Sequence, residues 1–322
     1  MTFYDCFNGD ADGICALTQL RLAEPRQATL VTGVKRDINL LQRVHASQGD
    51  QITVLDVSLD KNRSALQAAL DAGAEVFYCD HHFAGDIPEH DALTAIINTA
   101  SDVCTSLLIN THLRGAFQAW AVVGTFGDNL ATSACSLARS LDLTESQLQA
   151  LQNLGIYLNY NGYGAALEDL YFDPEQLYRK VSQFSSPFDF IQQDRDSFDT
   201  LEQGYNDDMA KAAATKPVSE HQSTAVFRLP NAAWARRVSG VYGNDLANQT
   251  PQRAHAVVTE RSDGSFVVSV RAPLNKKQGA DEVCRQFDTG GGRAAAAGIN
   301  SLPESELPRF IDTFSDYYAT QR

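Results

Sequence analysis

The segment FNGDADGICA, residues 7–16, brings two carboxylates close together near the start of the chain. Asp10 and Asp12 stand two positions apart, next to glycines and before an apolar run with helical spacing. Neighbouring carboxylates repel each other unless a cation or a set of hydrogen-bond donors neutralises them. Taken alone, the segment fits a turn or a helix cap as well as it fits a metal site.

Further acidic and imidazole side chains follow apolar segments in the same way. Asp56 follows ITVL, Asp128 follows AVVGTFG, and VFYC is followed by Asp80, His81 and His82. A single residue of this kind is more often a cap or a surface group than a ligand. Together they offer carboxylate oxygens and imidazole nitrogens, a donor set that suits Mn²⁺ and also admits Mg²⁺. The combination therefore predicts a divalent metal site.

Short strand patterns alternate with helical patterns over the first hundred residues. The predicted strands are TFYDCF, ATLVTGV, QITVLDVSL and EVFYCDHH, and the predicted helices are GICALTQLRLAE, INLLQRVHAS and KNRSALQAALDAG. This alternation is typical of an open, mostly parallel sheet with helices on both faces. Ligands of such sheets bind beyond the carboxyl ends of the strands, where most of these aspartates and histidines lie.

Helical patterns dominate from residue 102 to residue 215, and strand patterns return in STAVFRLP, RAHAVVTE and FVVSVRAP. We predict an α/β protein whose N-terminal domain, residues 1–195, has a parallel sheet and a helical extension. A helical linker at 196–222 and a smaller C-terminal α/β domain at 223–322 complete the prediction. The aromatic and amide-rich segment 158–164 fits a base-stacking surface or an ordinary loop.

Composition limits the class of partner. The formal net charge is −14, and the acidic excess lies in residues 1–216. A strongly acidic chain is a poor candidate for binding long nucleic acid, whereas the nearly neutral residues 217–322 are better suited to an anionic ligand. The six cysteines form no CxxC pair, and no apolar run approaches the roughly 18–20 residues that cross a bilayer. With no signal-peptide pattern, these features predict a cytoplasmic protein without a membrane partner.

In order and spacing, these motifs resemble those of the DHH phosphoesterases, a family of RecJ-like exonucleases, oligoribonucleases, cyclic-dinucleotide phosphodiesterases and family II inorganic pyrophosphatases. The four catalytic motifs of that family match, in order, Asp10 with Asp12, then Asp56, then Asp80-His81-His82, then Asp128. The segment GGGRAAAAG at 290–298 is similar to the GGGHxxAAG signature of the family's substrate-binding domain. The resemblance covers nearly the whole chain and implies two domains across a cleft.

The resemblance also implies roles for individual residues. Two Mn²⁺ ions, with Mg²⁺ as the other option, would activate a water for direct attack on phosphorus. Their ligands would be Asp10, Asp12, Asp56, His81 and Asp128, with Asp56 as the bridge. The catalytic residues beside them would be Asn8, Asp80 and His82, with His82 facing the scissile phosphate or a ligand carboxylate. Substrate would be bound by Arg271, Gly290, Gly291, Gly292 and Arg293, with Arg271 on its terminal phosphate.

Two positions depart from the family pattern. Many members have a histidine four residues before the first aspartate, where this chain has Cys6. Cys6 fits the core of a strand, and the nearby Asn8 would either donate to the nucleophile or orient Asp10. The second departure is Arg293 in place of the signature histidine, and its fork of N–H donors suits a phosphate group.

The predicted function is Mn²⁺-dependent hydrolysis of short oligonucleotides or small nucleotides, by a phosphodiesterase or an exonuclease. Two alternatives stay open, a pyrophosphatase or polyphosphatase and a nucleotide-binding sensor with weak catalysis. The expected partner is a small or short nucleotide rather than long nucleic acid, and the sequence leaves a homodimer open.

Overall fold

The computed structural model describes residues 1–320 of a chain that divides into two compact units, Met1–Gly204 and Tyr205–Arg322. The first unit is built on a five-stranded parallel sheet. Its strands are β1 (Phe3–Phe7), β2 (Thr29–Val31), β3 (Gln51–Leu55), β4 (Glu75–Asp80) and β5 (Leu93–Ile97). They lie in the order β2-β1-β3-β4-β5, so the direction of winding reverses between β1 and β3. Such a reversal opens a crevice at the carboxyl ends of the two strands, where ligands of parallel sheets bind.

Helices cover this sheet and extend the first unit beyond it. They are α1 (Ala11–Ala23), α2 (Leu59–Asp71), α3 (Thr105–His112), α4 (Gln118–Gly127), α5 (Ala131–Ala138), α6 (Glu145–Asn161), α7 (Pro174–Val181), α8 (Pro187–Gln193) and α9 (Arg195–Ala213). Helix α1 packs against the sheet and against α3, α4 and α6, so it is buried along most of its length. Its one arginine, Arg21, is buried with Asp5 of β1, whose carboxylate lies 2.6 Å from the guanidinium group.

A glycine at the end of α4 lets this helix pack closely against its neighbours. A Cβ atom on Gly127, at the end of α4, would lie 2.3 Å from the Cβ of Ala11 and 2.9 Å from the carbonyl oxygen of Gly155. Without that atom α4 can approach both α1 and α6 closely. The approach brings Asp128, which follows α4, to the start of α1.

The second unit contains a six-stranded mixed sheet. Its strands are β6 (Pro217–Glu220), β7 (Thr224–Leu229), β8 (Ala254–Glu260), β9 (Phe266–Arg271), β10 (Gly290–Arg293) and β11 (Ala296–Leu302), in the order β10-β11-β9-β8-β7-β6. Strands β7 and β8 are parallel, and the other neighbouring pairs are antiparallel. Helix α10 (Ala233–Gln249) packs on one face, whereas α11 (Ala280–Cys284) and α12 (Leu307–Thr320) pack on the other.

The predicted α/β fold class is confirmed, but one predicted helix is wrong. The segment INLLQRVHAS forms only a short 3₁₀ turn at Leu40–Arg43. The side chain of Asn62 in α2 accepts a hydrogen bond from the Leu41 N–H and donates one to the Ile38 carbonyl. In a helix, other backbone groups would pair with this N–H and this carbonyl. Because Asn62 satisfies them instead, the segment is stable in a non-helical conformation.

The boundary between the two units lies within α9, after Gly204. The region predicted as a helical linker, 196–222, consists of most of α9 followed by β6, which pairs with β7. Residues 321 and 322 of the predicted C-terminal domain lie outside the described residues. Within residues 1–320, no helix is both long and apolar enough to cross a membrane.

Candidate metal centre

The crevice beside β1 and β3 collects the predicted side chains from separate segments of the first unit. Asp10 and Asp12 lie at the start of α1, Asp56 follows β3, and the histidines follow β4. A cavity of about 110 Å³ is present there. The predicted residues that line it are Asn8, Asp10, Asp56, His81, His82 and Asp128.

Two sets of side chains lie close enough to share an ion. One consists of Asp56, His81 and His82 and the other of Asp12, His81 and Asp128, with the ligand atoms of each set within 4.8 Å of one another. His81 Nε2 lies 3.4 Å from Asp56 Oδ1, 3.8 Å from Asp128 Oδ2 and 4.0 Å from Asp12 Oδ2. Donor atoms about 3–4 Å apart suit a shared ion with metal–ligand bonds of about 2.0–2.2 Å.

A backbone carbonyl orients His81 for metal binding. Its Nδ1 lies 3.0 Å from the carbonyl oxygen of Val103. Because a carbonyl oxygen can only accept, we assign the proton of the neutral ring to Nδ1. The lone pair is then on Nε2, the nitrogen that faces the carboxylates, as in histidine ligands held by an outer hydrogen bond.

Asp12 is held by the amino terminus of α3. One of its carboxylate oxygens accepts from the Thr105 N–H at 2.7 Å, and the other accepts from the Ser106 N–H at 2.7 Å. These two donors at the start of the helix hold the carboxylate in a fixed orientation. Each oxygen keeps a further lone pair that a metal ion can use.

Asp56 has a backbone conformation that non-glycine residues seldom adopt, with φ of 58°. Its N–H donates to the Cys79 carbonyl at 3.1 Å, and the Thr105 hydroxyl donates to its carboxylate at 3.3 Å. A left-handed conformation at a residue other than glycine costs of order 1–3 kcal/mol and is found preferentially at functional sites. Here it accompanies a side chain that lines the cavity.

The carboxylates of the centre carry more negative charge than nearby cations balance. Burial, followed by the charges of Asp10, Asp12 and other aspartates, raises the pKa of Asp56 well above its usual value. Burial, followed by Asp12 and Asp10, raises the pKa of Asp128 to about 7. A divalent cation would relieve this repulsion, and the oxygen and imidazole donors match its preferences. The residues present therefore fit a divalent metal ion.

Asp80 and His82 form a second hydrogen-bonded pair. The Asp80 carboxylate is fully buried and lies 2.7 Å from His82 Nδ1, while the His82 side chain is 46% exposed. The hydrogen bond from His82 to Asp80 is the main cause that raises the pKa of His82. A buried carboxylate thus orients a half-exposed imidazole and favours its protonated form.

Asp10 has partners that the sequence did not reveal. One carboxylate oxygen caps α1 by accepting from the N–H groups of Asp12 and Gly13, at 3.0 and 3.2 Å. The other lies 2.6 Å from Nζ of Lys35, a residue that also lines the cavity. Burial opposes ionisation of Asp10, but Lys35 and the Gly13 N–H hold its pKa below the usual range. The strand-end rule could have found Lys35, since it follows β2 by a few residues.

The two positions before Asp10 have structural partners. Cys6 lies in β1 with no exposed surface, and burial raises the pKa of its thiol, as expected for a core residue. The Asn8 side-chain amide donates to the Lys35 carbonyl at 3.2 Å, so its N–H group orients Lys35 rather than Asp10. Asn8 Oδ1 is buried, and no described residue donates a hydrogen bond to it.

The two arginines predicted to bind substrate share one face of the sheet in the second unit. Arg293 in β10 pairs with Ala296 in β11, which in turn pairs with Arg271 in β9. Residues directly opposite on neighbouring strands project to the same side, so both arginines leave the same face. Gly290, Gly291 and Gly292 form this edge strand with Arg293.

Helix α10 fixes the Arg271 guanidinium group. Its Nε donates to the Asn244 side chain at 2.6 Å, and one Nη donates to the Gly240 carbonyl at 3.3 Å. The Arg293 side chain is exposed. The structure thus provides one preoriented arginine and one exposed arginine on one face of the sheet.

Comparison with known proteins gives both units a family context. Residues 200–320 match the model of the DHHA1 domain. No curated protein matches the chain in sequence. An exonuclease RecJ bound to manganese superposes with a TM-score of 0.63 at 16% identity, covering 99% of this chain and 90% of that one. The Mn²⁺ complex of RecJ from Thermus thermophilus has a TM-score of 0.66 at 16% identity, with 99% of this chain and 52% of that chain covered.

A pGpG-specific phosphodiesterase, PggH of Vibrio cholerae, is similar over its full length. Its TM-score is 0.58 at 14% identity, and 99% of each chain is covered. These similarities show a common fold, and this chain spans about half the length of the Thermus protein. The chain thus combines a DHHA1 domain with a His/Asp site that fits a divalent metal ion. The family match is therefore to the DHHA1 domain in residues 200–320, and the structural matches extend the common fold over the rest of the chain.

Proposed function

We propose that this protein hydrolyses a phosphodiester bond in a short oligonucleotide or small nucleotide, with Mn²⁺ as its preferred ion. The observation that carries the proposal is that Asp56, His81 and Asp128 line one cavity, with Asp12 close to His81 and Asp128 and a half-exposed His82 beside them. Carboxylates and an imidazole at this spacing suit catalytic metal ions of phosphoryl-transfer enzymes.

The chain's own residues have complementary tasks around the bound phosphate. A divalent cation in the site supplies Lewis acidity, which lowers the pKa of a water molecule and neutralises phosphate charge. His82, held at Nδ1 by Asp80, would direct its Nε2 proton to a phosphate oxygen or the leaving oxygen. Asn8 Oδ1, the buried acceptor beside the cavity, would accept a hydrogen bond from the attacking water.

Several observations favour a short substrate over long nucleic acid. The formal net charge is −14, and most of that charge lies in the unit that contains the metal site. Binding a long phosphate backbone depends on many lysine and arginine contacts. PggH, which has this fold at the same chain length, is a phosphodiesterase specific for the dinucleotide pGpG. The comparison supports a dinucleotide as the first substrate to test.

Arg271 and Arg293 are the proposed contacts to a terminal phosphate of the substrate. The side chains leave the same face of the sheet, and α10 holds the Arg271 guanidinium in place. Arginine binds phosphate through two parallel N–H donors, which gives geometric specificity as well as charge. Glycines at 290–292 leave the edge strand beside Arg293 without large side chains.

The test is release of mononucleotide from a labelled 5′-phosphorylated dinucleotide by chelator-treated protein, with and without added Mn²⁺. We expect turnover only with the ion, and loss of at least about 100-fold in kcat for His81→Asn. Asparagine keeps a donor near the Val103 carbonyl but removes the Nε2 ligand, so the fold should survive. The exposed histidine variant His90→Asn is the matched control and should retain full activity.

A substrate panel decides between the proposal and other phosphoesters. It contains the dinucleotide, a cyclic dinucleotide, a 3′,5′-bisphosphate nucleotide and inorganic pyrophosphate. Preference for pyrophosphate would replace the proposal with a pyrophosphatase. Nucleotide binding without turnover of any member would replace it with a sensor.

A further inference from the structure

Lys35 reaches the metal centre from the segment after β2. Its Nζ lies 2.6 Å from Asp10 Oδ2 and 2.9 Å from Asn159 Oδ1. It lines the same cavity as His81 and Asp128, and 28% of its side chain is exposed. The ammonium group is therefore packed on one side and available to a ligand on the other.

The surroundings of Lys35 hold it in this position. Its N–H donates to the Gly162 carbonyl at 2.9 Å, and its carbonyl accepts from the Asn8 amide at 3.2 Å. The ring of Tyr163 lies 5.5 Å from Nζ, and the Tyr163 hydroxyl accepts from Asn159 at 2.9 Å. Contacts from two segments, residues 8–10 and residues 159–163, fix both the backbone and the ammonium group. This is a built position rather than a mobile surface lysine.

The same geometry indicates that Asp10 is not a metal ligand. One of its oxygens accepts from the N–H groups that start α1, and the other is paired with a cation, the ammonium group of Lys35. A divalent ion on Asp10 would lie within a few ångströms of that ammonium charge, and like charges at this distance repel strongly in a buried site. Among the described residues, neither set of side chains that can share an ion includes Asp10.

We propose that Lys35 is the second cation of this centre. Its ammonium group neutralises Asp10 and binds a phosphate oxygen of the substrate. Asp12, Asp56, His81 and Asp128 bind a single divalent ion. Lysine is a common phosphate ligand that acts as a compact point charge, so it can take over the electrostatic part of a second ion. The phosphate contact rests on the proposed function, and the single ion replaces the two-ion centre inferred from sequence.

The test counts the ions bound to the full chain. Chelator-treated protein is titrated with Mn²⁺ by calorimetry, and bound metal is measured by mass spectrometry after gel filtration. We expect one ion per wild-type chain. Lys35→Ala, which frees Asp10, should bind two, and Lys35→Arg, which keeps the charge, should bind one. Two ions in the wild-type protein, or one in both wild-type and Lys35→Ala protein, would overturn the proposal.

Two further variants test the ligand set. Asp10→Asn should keep the single ion with affinity within about threefold of wild type, whereas Asp56→Asn should lose it. Loss of an ion from Asp10→Asn protein would contradict the proposal. Lys180→Ala is the matched control, because Lys180 is also paired with an aspartate, Asp194, at 3.5 Å. It should leave the number of bound ions unchanged.

The number of bound ions distinguishes this inference from the proposed function. One bound ion without turnover of any phosphodiester rejects the function and leaves the count standing. Two bound ions with rapid turnover reject the role of Lys35 and leave the function standing. The phosphate contact has its own readout, because Lys35→Ala should raise KM for the dinucleotide while Lys35→Arg restores it. An unchanged KM in Lys35→Ala protein would reject that contact.

Discussion

Ser106 donates two hydrogen bonds to Asp12, one from its backbone and one from its side chain. The Asp12 carboxylate accepts from the Ser106 N–H at 2.7 Å, and the Ser106 hydroxyl donates to the Asp12 carbonyl at 2.9 Å. The Thr105 N–H donates to the second carboxylate oxygen at 2.7 Å. Asp12 therefore fastens the start of α3 to the start of α1, whether or not an ion is bound.

Substitution of Asp12 should destabilise the metal-free protein. Asparagine offers one oxygen to the two buried N–H groups of Thr105 and Ser106, and alanine offers none. We expect the free energy of unfolding to fall by about 1–2 kcal/mol for Asp12→Asn and about 2–4 kcal/mol for Asp12→Ala. Urea unfolding with chelator present measures both. Asp128→Ala is the control and should cost less than about 1 kcal/mol; an equal loss in all three variants would contradict the capping role.

Asp56→Asn should have the opposite effect on stability. The amide removes a buried carboxyl whose ionisation is opposed by burial and by other aspartates, and asparagine tolerates the left-handed backbone at this position. We expect the metal-free protein to gain about 1–2 kcal/mol in free energy of unfolding while it loses Mn²⁺ binding. Urea unfolding and calorimetric titration measure the two quantities. Asp71→Asn, an exposed substitution in α2, should change neither.

The location of the site could be predicted from the sequence, because its residues follow the ends of predicted strands. Asp10, Asp56 and His81 each come within three residues of the end of a parallel strand, and the carboxyl ends of such strands meet at one edge. The partners of these side chains were not predictable in the same way. Asp12 and Thr105 are 93 residues apart, and Lys35 and Asn159 are 124 apart. No local pattern records such pairings, because they depend on how the helices pack.

The elements that the sequence missed have physical reasons too. Strand β10 consists of three glycines and Arg293, and glycine is depleted in strands because it loses more conformational entropy. It forms as an edge strand because β11 provides a complete antiparallel partner. The helix predicted at residues 38–47 does not form, because the Asn62 side chain bonds to the backbone of that segment. The periodicity of apolar residues carries no information on such a tertiary contact.

The hydrogen bond between Asp80 and His82 predicts a change in the pH profile. It raises the pKa of His82, so the protonated imidazole persists to higher pH than an ordinary histidine. Asp80→Asn removes the charged partner, and the alkaline limb of the kcat profile should move to lower pH. NMR titration of the imidazole measures the same shift directly.

Two further variants test this interpretation of the pH profile. His82→Ala should lower kcat by about 100-fold or more, because the proton donor itself is gone. Asp91→Asn, an exposed substitution in the following loop, should leave the profile unchanged. An alkaline limb that stays in place in Asp80→Asn protein would show that His82 does not act in its protonated form.

Arg293 should distinguish substrates by their terminal phosphate. Arg293→Ala is expected to raise KM roughly 10–100-fold for a 5′-phosphorylated dinucleotide and far less for the same dinucleotide without that phosphate. Arg293→Lys should recover only part of the loss, since lysine has no bidentate fork. The control is Arg285→Ala, an exposed arginine of the same unit paired with Asp281. Equal effects on both substrates would reject the phosphate contact.

His255 in β8 predicts how the second unit responds to acid. The side chain is 2% exposed, and burial, followed by the charge of Arg253, lowers its pKa to about 4. A folded-state pKa below the ordinary value gives a stabilising contribution that is complete above pH 6.5 and is lost as pH falls from 6.5 towards 4. We expect a loss of order 2–3 kcal/mol over that window. His255→Leu, which buries no titrating group, should show a smaller drop between about pH 7 and pH 4.5 in scanning calorimetry. His221→Leu, an exposed histidine of the same unit, should behave as wild type; identical pH dependence in all three proteins would show that His255 is not the acid-sensitive group.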